Sequence, residues 1–211
     1  MIKKKVTISE SLQGMLKQMN PQQEQMLVQM FQHYMRQFTE LRVVNNAESV
    51  SDAVHKQVDE MMAETITEAN KTKEKVSCGK GCSFCCFQQV DISDDEATLI
   101  TEYTREIGKE IDYDMLQKQF ATKDYGTLPL KERKCIFLDD MDSCSIYEHR
   151  PSACRKLVVV NDPALCDTEK NKGAQVKRLV SLEAEVVTSA SLNFRESGSM
   201  AKMLIEAKKE N

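Results

Sequence analysis

The sequence predicts a mainly α fold, in which helical segments at both ends enclose a small cysteine-rich centre carrying a short β-hairpin. Three observations predict it. Apolar residues recur at spacings of three and four through residues 20–70 and again through 172–208, the period of a helix face. All eight cysteines of the 211-residue chain lie between Cys78 and Cys166. Two short β-like runs flank an acidic turn inside that interval. The chain therefore divides into a Met- and Gln-rich helical segment (1–75), a cysteine cluster (76–167) and a C-terminal helical segment (168–211).

In the first segment Asn20-Pro21 is a helix start, with asparagine as cap and proline at the first helical position. Met26, Met30, Phe31, Tyr34, Met35 and Phe38 follow as one apolar stripe. Val43-Val44-Asn45-Asn46 breaks the pattern, and Val50, Val54, Val58, Met61, Met62, Ile66 and Ala69 form a second stripe. Methionine packs adaptably, so the first stripe reads as core, with a protein-partner face on these N-terminal helices as the sharper alternative. His33 and His55 fall in the stripes and read as surface or boundary residues.

In the second segment Ser93-Asp94-Asp95-Glu96 is a capping box opening a helix with Ala97, Ile100, Tyr103 and Ile107 on its apolar side. A short helix is predicted over 115–120. Lys134 to Leu138 and Cys144 to Tyr147 flank Asp139–Ser143 and read as hairpin arms bearing one cysteine each. That acidic turn lacks the further acidic and glycine positions of a calcium loop and reads as solvated. In the last segment Val176, Leu179, Val180, Leu182, Val186 and Val187 lie on or near one helical face, and Ser197-Gly198-Ser199 is a break.

The formal net charge is −4, with 29% charged and 41% hydrophobic residues, an ordinary globular balance and a poor match to a nucleic-acid surface. No run approaches the roughly 20 apolar residues of a membrane span, and no apolar stretch follows the basic start. A cytoplasmic setting is expected, where thiols stay reduced. Eight cysteines there point to metal ligands or redox thiols rather than four disulfides.

The thiols are Cys78, Cys82, Cys85, Cys86, Cys135, Cys144, Cys154 and Cys166, spaced C-x3-C-x2-C-C and, after 48 residues, C-x8-C-x9-C-x11-C. Thiolate sulfur is a soft donor that selects zinc, copper(I) or iron–sulfur clusters, and four cysteines suit Zn²⁺ or a cuboidal cluster. Gly79 and Gly81 permit a tight turn bringing Cys78 and Cys82 to one centre. Adjacent Cys85 and Cys86 project in different directions and do not serve one mononuclear metal comfortably. Lys80, Arg133, Lys134, Arg150, Arg155 and Lys156 sit near cysteines and would offset thiolate charge. His149 lies among them, a weaker ligand candidate. Cys78, Cys82 and Cys85, with Phe84 before the third, match a radical-SAM triad, but the chain that follows lacks alternating strands and helices and spends further cysteines nearby. No phosphate-cradling glycine loop or nucleophile elbow is present.

Cys78-x3-Cys82-x2-Cys85-Cys86, with Gly81 before the second cysteine, together with Cys144-Ser-Ile-Tyr147-Glu-His-Arg150-Pro151-Ser-Ala-Cys154-Arg155, resembles the YkgJ-like cysteine-cluster family, also described as the putative zinc- or iron-chelating CxxCxxCC domain. Val90 to Ala97 is similar to that family's continuation, and Cys135 to the cysteine preceding its second motif. The resemblance covers about residues 76–167 and implies metal chelation by the shared cysteines, with an iron–sulfur cluster or Zn²⁺ as the bound group. A related cluster in flagellin lysine methylases makes methyl transfer or redox catalysis the alternative, and a structural zinc module for protein contacts a third.

Overall fold

A computed structural model describes residues 6–72, 74–79, 81–167 and 169–210. Nine α-helices are described, joined by two small antiparallel sheets and several 3-10 turns. Helix α1 (Glu10–Leu16) precedes two long helices, α2 (Pro21–Val44) and α3 (Ala47–Lys71). The α2 start follows from its cap: the Asn20 side chain accepts from the amides of Gln22 and Gln23, and the Gln23 side chain answers to the Asn20 amide. Asn46 caps α3 through the Ser49 amide, so the predicted break at residues 43–46 is a helix end backed directly against a new start.

Leu27, Tyr34 and Phe38 of α2 and Val54, Val58 and Met62 of α3 bury their stripes against Ala184, Val186, Val187 and Ala190 of α8 (Leu182–Phe194), with Leu12 of α1 closing one end. Met30, Met35 and Met61 pack on the margin of this core. A second core gathers around α4 (Asp94–Glu106), α5 (Tyr113–Ala121) and α9 (Met200–Glu210). Ile92, Ile100, Leu116, Phe137, Ile146 and Leu204 are buried there, with Cys135 and Cys144 on its rim.

The strands tie distant chain segments together. β1 (Asp91–Ser93) pairs with β4 (Ser197–Ser199), Ile92 opposite Gly198. β2 (Val158–Val159) pairs with β3 (Arg178–Leu179). Two expectations are corrected here. The C-terminal helix begins only at Leu182: Val176, Leu179 and Val180 belong to an extended stretch, since β3 finds a partner in β2, and Ser181 then caps α8 through the Ala184 amide. Ser197-Gly198-Ser199 is more than a break, because its backbone pairs with β1. The hairpin around Asp139–Ser143 is a single antiparallel bridge, Leu138 to Cys144. Its turn is exposed at Met141 and closed by the Asp139 carboxylate, which accepts from the amides of Met141 and Ser143 at 2.8 Å each. Two short helices, α6 (Leu130–Arg133) and α7 (Ser152–Arg155), complete the path. Among the described residues no helix is long and apolar enough to cross a membrane.

Candidate metal centre

Cys78 follows an edge contact in which the Ser77 amide donates to the Val159 carbonyl at 3.0 Å. The Val159 amide in turn donates to the Cys78 sulfur at 3.3 Å. The chain then turns on itself: the Cys82 amide reaches the Gly79 carbonyl at 3.0 Å, and Gly81 sits at φ +84°, a conformation that a side chain disfavours. Of the two glycines read as turn formers, Gly81 is the one the backbone requires. Cys85 and Cys86 occupy a 3-10 turn over Phe84–Phe87.

The second motif is brought to this loop by backbone contacts. The Cys135 amide donates to the Cys86 carbonyl at 2.8 Å, and Cys144 faces Leu138 across the bridge. Cys154 lies in α7, the one-turn helix that Pro151 opens. Cys166 ends a 3-10 turn, Pro163–Cys166, packed against the turn of Cys85 and Cys86. All eight thiols are free and half-buried.

Their strongest electrostatic neighbours are one another. Burial raises Cys82, and the nearby Cys78 and Cys85 raise it further, while the Phe84 amide lowers it. Burial pushes the Cys135 thiol up to about 11 against the amides of Phe137 and Leu138. Burial raises Cys144 against the Ile146 amide and Arg150, and raises Cys154 with help from Cys135, Cys85 and Cys144. Burial likewise raises Cys166, assisted by Cys78, Cys82 and Cys85 and opposed by Arg178. Within the vicinal pair, a hydrogen bond between the two sulfurs lowers Cys85 and raises Cys86. Crowded thiols of this kind resist ionising together, and a bound cation removes that penalty. Three of the amides aimed at sulfur, those of Phe84, Phe137 and Ile146, come from two residues beyond the cysteine they serve, so each short turn presents N–H dipoles to its own sulfur.

The cations near the cysteines separate by what they touch. Arg150 lies over the Tyr147 ring at 4.1 Å, its buried Nε has no hydrogen-bond partner, and it faces Cys85, Cys144 and Cys154. Arg155 turns away from sulfur: it holds the carbonyls of Arg150 and Glu148 and pairs with Asp59 of α3 at 2.5 Å. Lys156 pairs with buried Glu185, Arg133 with Glu169, and Lys134 with the Asp139 carbonyl. Lys80 lies outside the described residues. Sequence reasoning missed Arg178, which looks like a surface charge until β3 pairs with β2.

It also misplaced His55, which is only 3% exposed. Its Nε2 donates to Glu96 Oε1 at 3.0 Å; the same carboxylate accepts from the Ser152 amide at 2.7 Å and the Ser93 amide at 3.2 Å. Burial alone would raise the Glu96 carboxyl, but His55 and the two amides outweigh it and hold it below the ordinary value. One buried side chain thus closes the α4 capping box, anchors α3 and fixes the start of the helix bearing Cys154. The capping box was legible in sequence; the reach to Ser152, 56 residues on, was not. His149 packs its ring on Tyr103 at 4.3 Å, with Nδ1 3.8 Å from Asp52, and His33 packs edge-on against Tyr34. A surface groove of about 460 Å³ runs beside α3 past His55 and Arg155, and no cysteine lines it.

Among the described residues no three His, Cys, Asp or Glu side chains are close enough, as they stand, to hold one metal ion. The donor chemistry nonetheless fits a soft metal: free thiols from two distant motifs share one neighbourhood, with an amide dipole on the Cys78 sulfur and the Arg150 guanidinium, its Nε without a hydrogen-bond partner, nearby. The fold and these thiols define a helical protein built around a cysteine cluster. Residues 77–177 match the family model of the CxxCxxCC domain, described as a putative zinc- or iron-chelating domain. No curated protein and no solved structure matches the chain.

Proposed function

We propose that the protein is a cytosolic chelator that holds an iron–sulfur cluster or Zn²⁺ through Cys78, Cys82, Cys85, Cys86, Cys135, Cys144, Cys154 and Cys166. The observation that carries this reading is the assembly of Cys135 on the Cys86 backbone, with Cys166 packed against the same turn. Two motifs 48 residues apart thereby contribute thiols to one neighbourhood. Metal binding closes a shell that the free chain holds loosely, and so is coupled to local folding. When bound, an iron–sulfur centre would supply one-electron chemistry and zinc a fixed structural charge. The residues themselves hold sulfur in place, screen thiolate charge with Arg150 and anchor Cys154 through Glu96.

Anaerobic purification with metal analysis and absorption spectroscopy tests this reading. Iron with acid-labile sulfide and a visible band identifies a cluster, and stoichiometric zinc without colour identifies the zinc form. Protein that is natively folded, fully reduced and unable to take up either metal would sink the proposal.

A further inference from the structure

We propose that the groove beside α3 docks a lysine- or arginine-rich segment of a partner protein, held by a row of carboxylates on the exposed side of α3 and by His55 in the groove lining. No cysteine lines this groove, so the inference is independent of the chelating role above.

Negative charge is concentrated on this helix. α3 carries six Asp and Glu residues and two Lys, a surplus of four negative charges, as large as the formal −4 of the whole chain. The rest of the chain is balanced, so the field that draws a cationic partner comes from α3. Asp52, Glu60, Glu64 and Glu68 are all exposed and stand four or eight residues apart, on one side of the helix. The groove of about 460 Å³ runs past Asp52 and Glu60, and a second of about 420 Å³ runs past Glu64 and Glu68; the two meet at Ala63. From residue 52 to 68 the row is about 24 Å long, which about seven residues of extended chain would span. The spacing also matches: four helical residues rise about 6 Å, close to the roughly 6.6 Å between alternate side chains of an extended segment.

A second observation, independent of the carboxylates, points to a donor from outside. Buried His55 lines the groove. Its Nε2 donates to Glu96, so the neutral ring presents Nδ1 as an acceptor, and that buried atom has no hydrogen-bond partner. Leaving a buried acceptor unpaired is costly, and a donor from a ligand would remove the cost. The cations of the lining are otherwise engaged. Arg155 is committed to Asp59 and to the carbonyls of Glu148 and Arg150. Lys56 lies 3.9 Å from Glu60 with 77% of its side chain exposed, a pair that contributes little in water. What remains unmatched is a set of acceptors, exposed carboxylates and one imidazole lone pair, whose complement is an ammonium or guanidinium group.

The test is fluorescence anisotropy of the reduced full chain with a labelled heptapeptide that alternates lysine and glycine. Binding is expected, and Asp52→Asn, Glu60→Gln and Glu64→Gln together should weaken it by about tenfold. Glu24→Gln, Glu40→Gln and Glu106→Gln, which remove the same charge from exposed positions of α2 and α4, should leave it unchanged. Equal weakening by both sets reduces the effect to the attraction of an acidic protein for any cation and overturns the proposal, as does a wild-type chain that does not bind. Spermidine that displaces the peptide at equal concentration assigns the groove to a small polyamine. Tighter peptide binding after Lys3→Ser, Lys4→Ser and Lys5→Ser together assigns it to the chain's own basic start; either result overturns a partner segment. Nitrogen NMR of the His55 ring reads the site without any substitution, and its Nδ1 signal is expected to shift on saturation with the peptide. A ring protonated on both nitrogens, or an Nδ1 signal that does not move, overturns the proposal.

Discussion

The core of α1, α2, α3 and α8 and the cysteine region of residues 77–90 and 133–181 are held together by different forces. In the helical core the contacts are apolar side chains such as Phe38, Val58 and Val187, each fully buried. Burial of that kind needs no ligand and is worth about 1.5–3 kcal/mol per large side chain. The cysteine region has one-turn helices, a single bridge and half-buried thiols. Its order rests on a few backbone contacts, and several of those point at sulfur. The contrast teaches that apolar burial accounts for one part, whereas the other has little of it and is held by short turns and backbone contacts.

Metal removal should break this contrast most strongly. A chelator added to the loaded protein is expected to abolish hydrogen-exchange protection at Cys82, Cys86 and Cys135, a loss of several kcal/mol on the scale of structural zinc sites. Amides in the middle of α2 and α8 should keep their protection. Equal loss in both regions would mean that the helical core also depends on the metal.

Phe38→Ala reverses the experiment. It should cost about 3–5 kcal/mol of global stability, measured by denaturant unfolding, while the folded fraction keeps its metal stoichiometry. Glu96→Gln strikes the joint between the regions and should cost about 2–4 kcal/mol, since it weakens the buried acceptor of His55, Ser152 and Ser93. Because the folded Glu96 carboxyl lies below its unfolded value of about 4.3, its contribution is complete above that pH and is lost as pH falls through the folded value. Wild-type stability should therefore fall in acid more steeply than that of Glu96→Gln; parallel curves would remove Glu96 from the account. Gly81→Ala should be the smallest change, about 1–2 kcal/mol of backbone strain at φ +84°, seen as weaker zinc binding with unchanged helix content.

The helices were legible in sequence because their signals lie within one turn of each other. Asn20 with Gln23 and Ser93 with Glu96 are caps closed over three residues, and the stripes of α2 and α3 repeat over seven. Val176 to Val180 was misread for the complementary reason. A short apolar run fits helix or strand equally, and β2 decides for strand. The Cys78–Cys86 loop and the segment around Cys154 stood out by composition, but their mutual position did not. His55 gave no sign of burial, because its partner Glu96 is 41 residues away.

By itself the sequence determined the mainly α class, the starts of α2 and α4, the thiol inventory and the soft-donor chemistry, all properties of residues near one another or of residue type alone. Tertiary structure decided that Cys135 hangs on the Cys86 backbone, that Arg150 faces sulfur while Arg155 does not, and that Glu96 anchors the helix of Cys154. Those outcomes depend on closing loops of tens of residues. Loop closure is driven by apolar burial and backbone pairing elsewhere in the chain, so nothing local to a cysteine records which sulfurs it will meet.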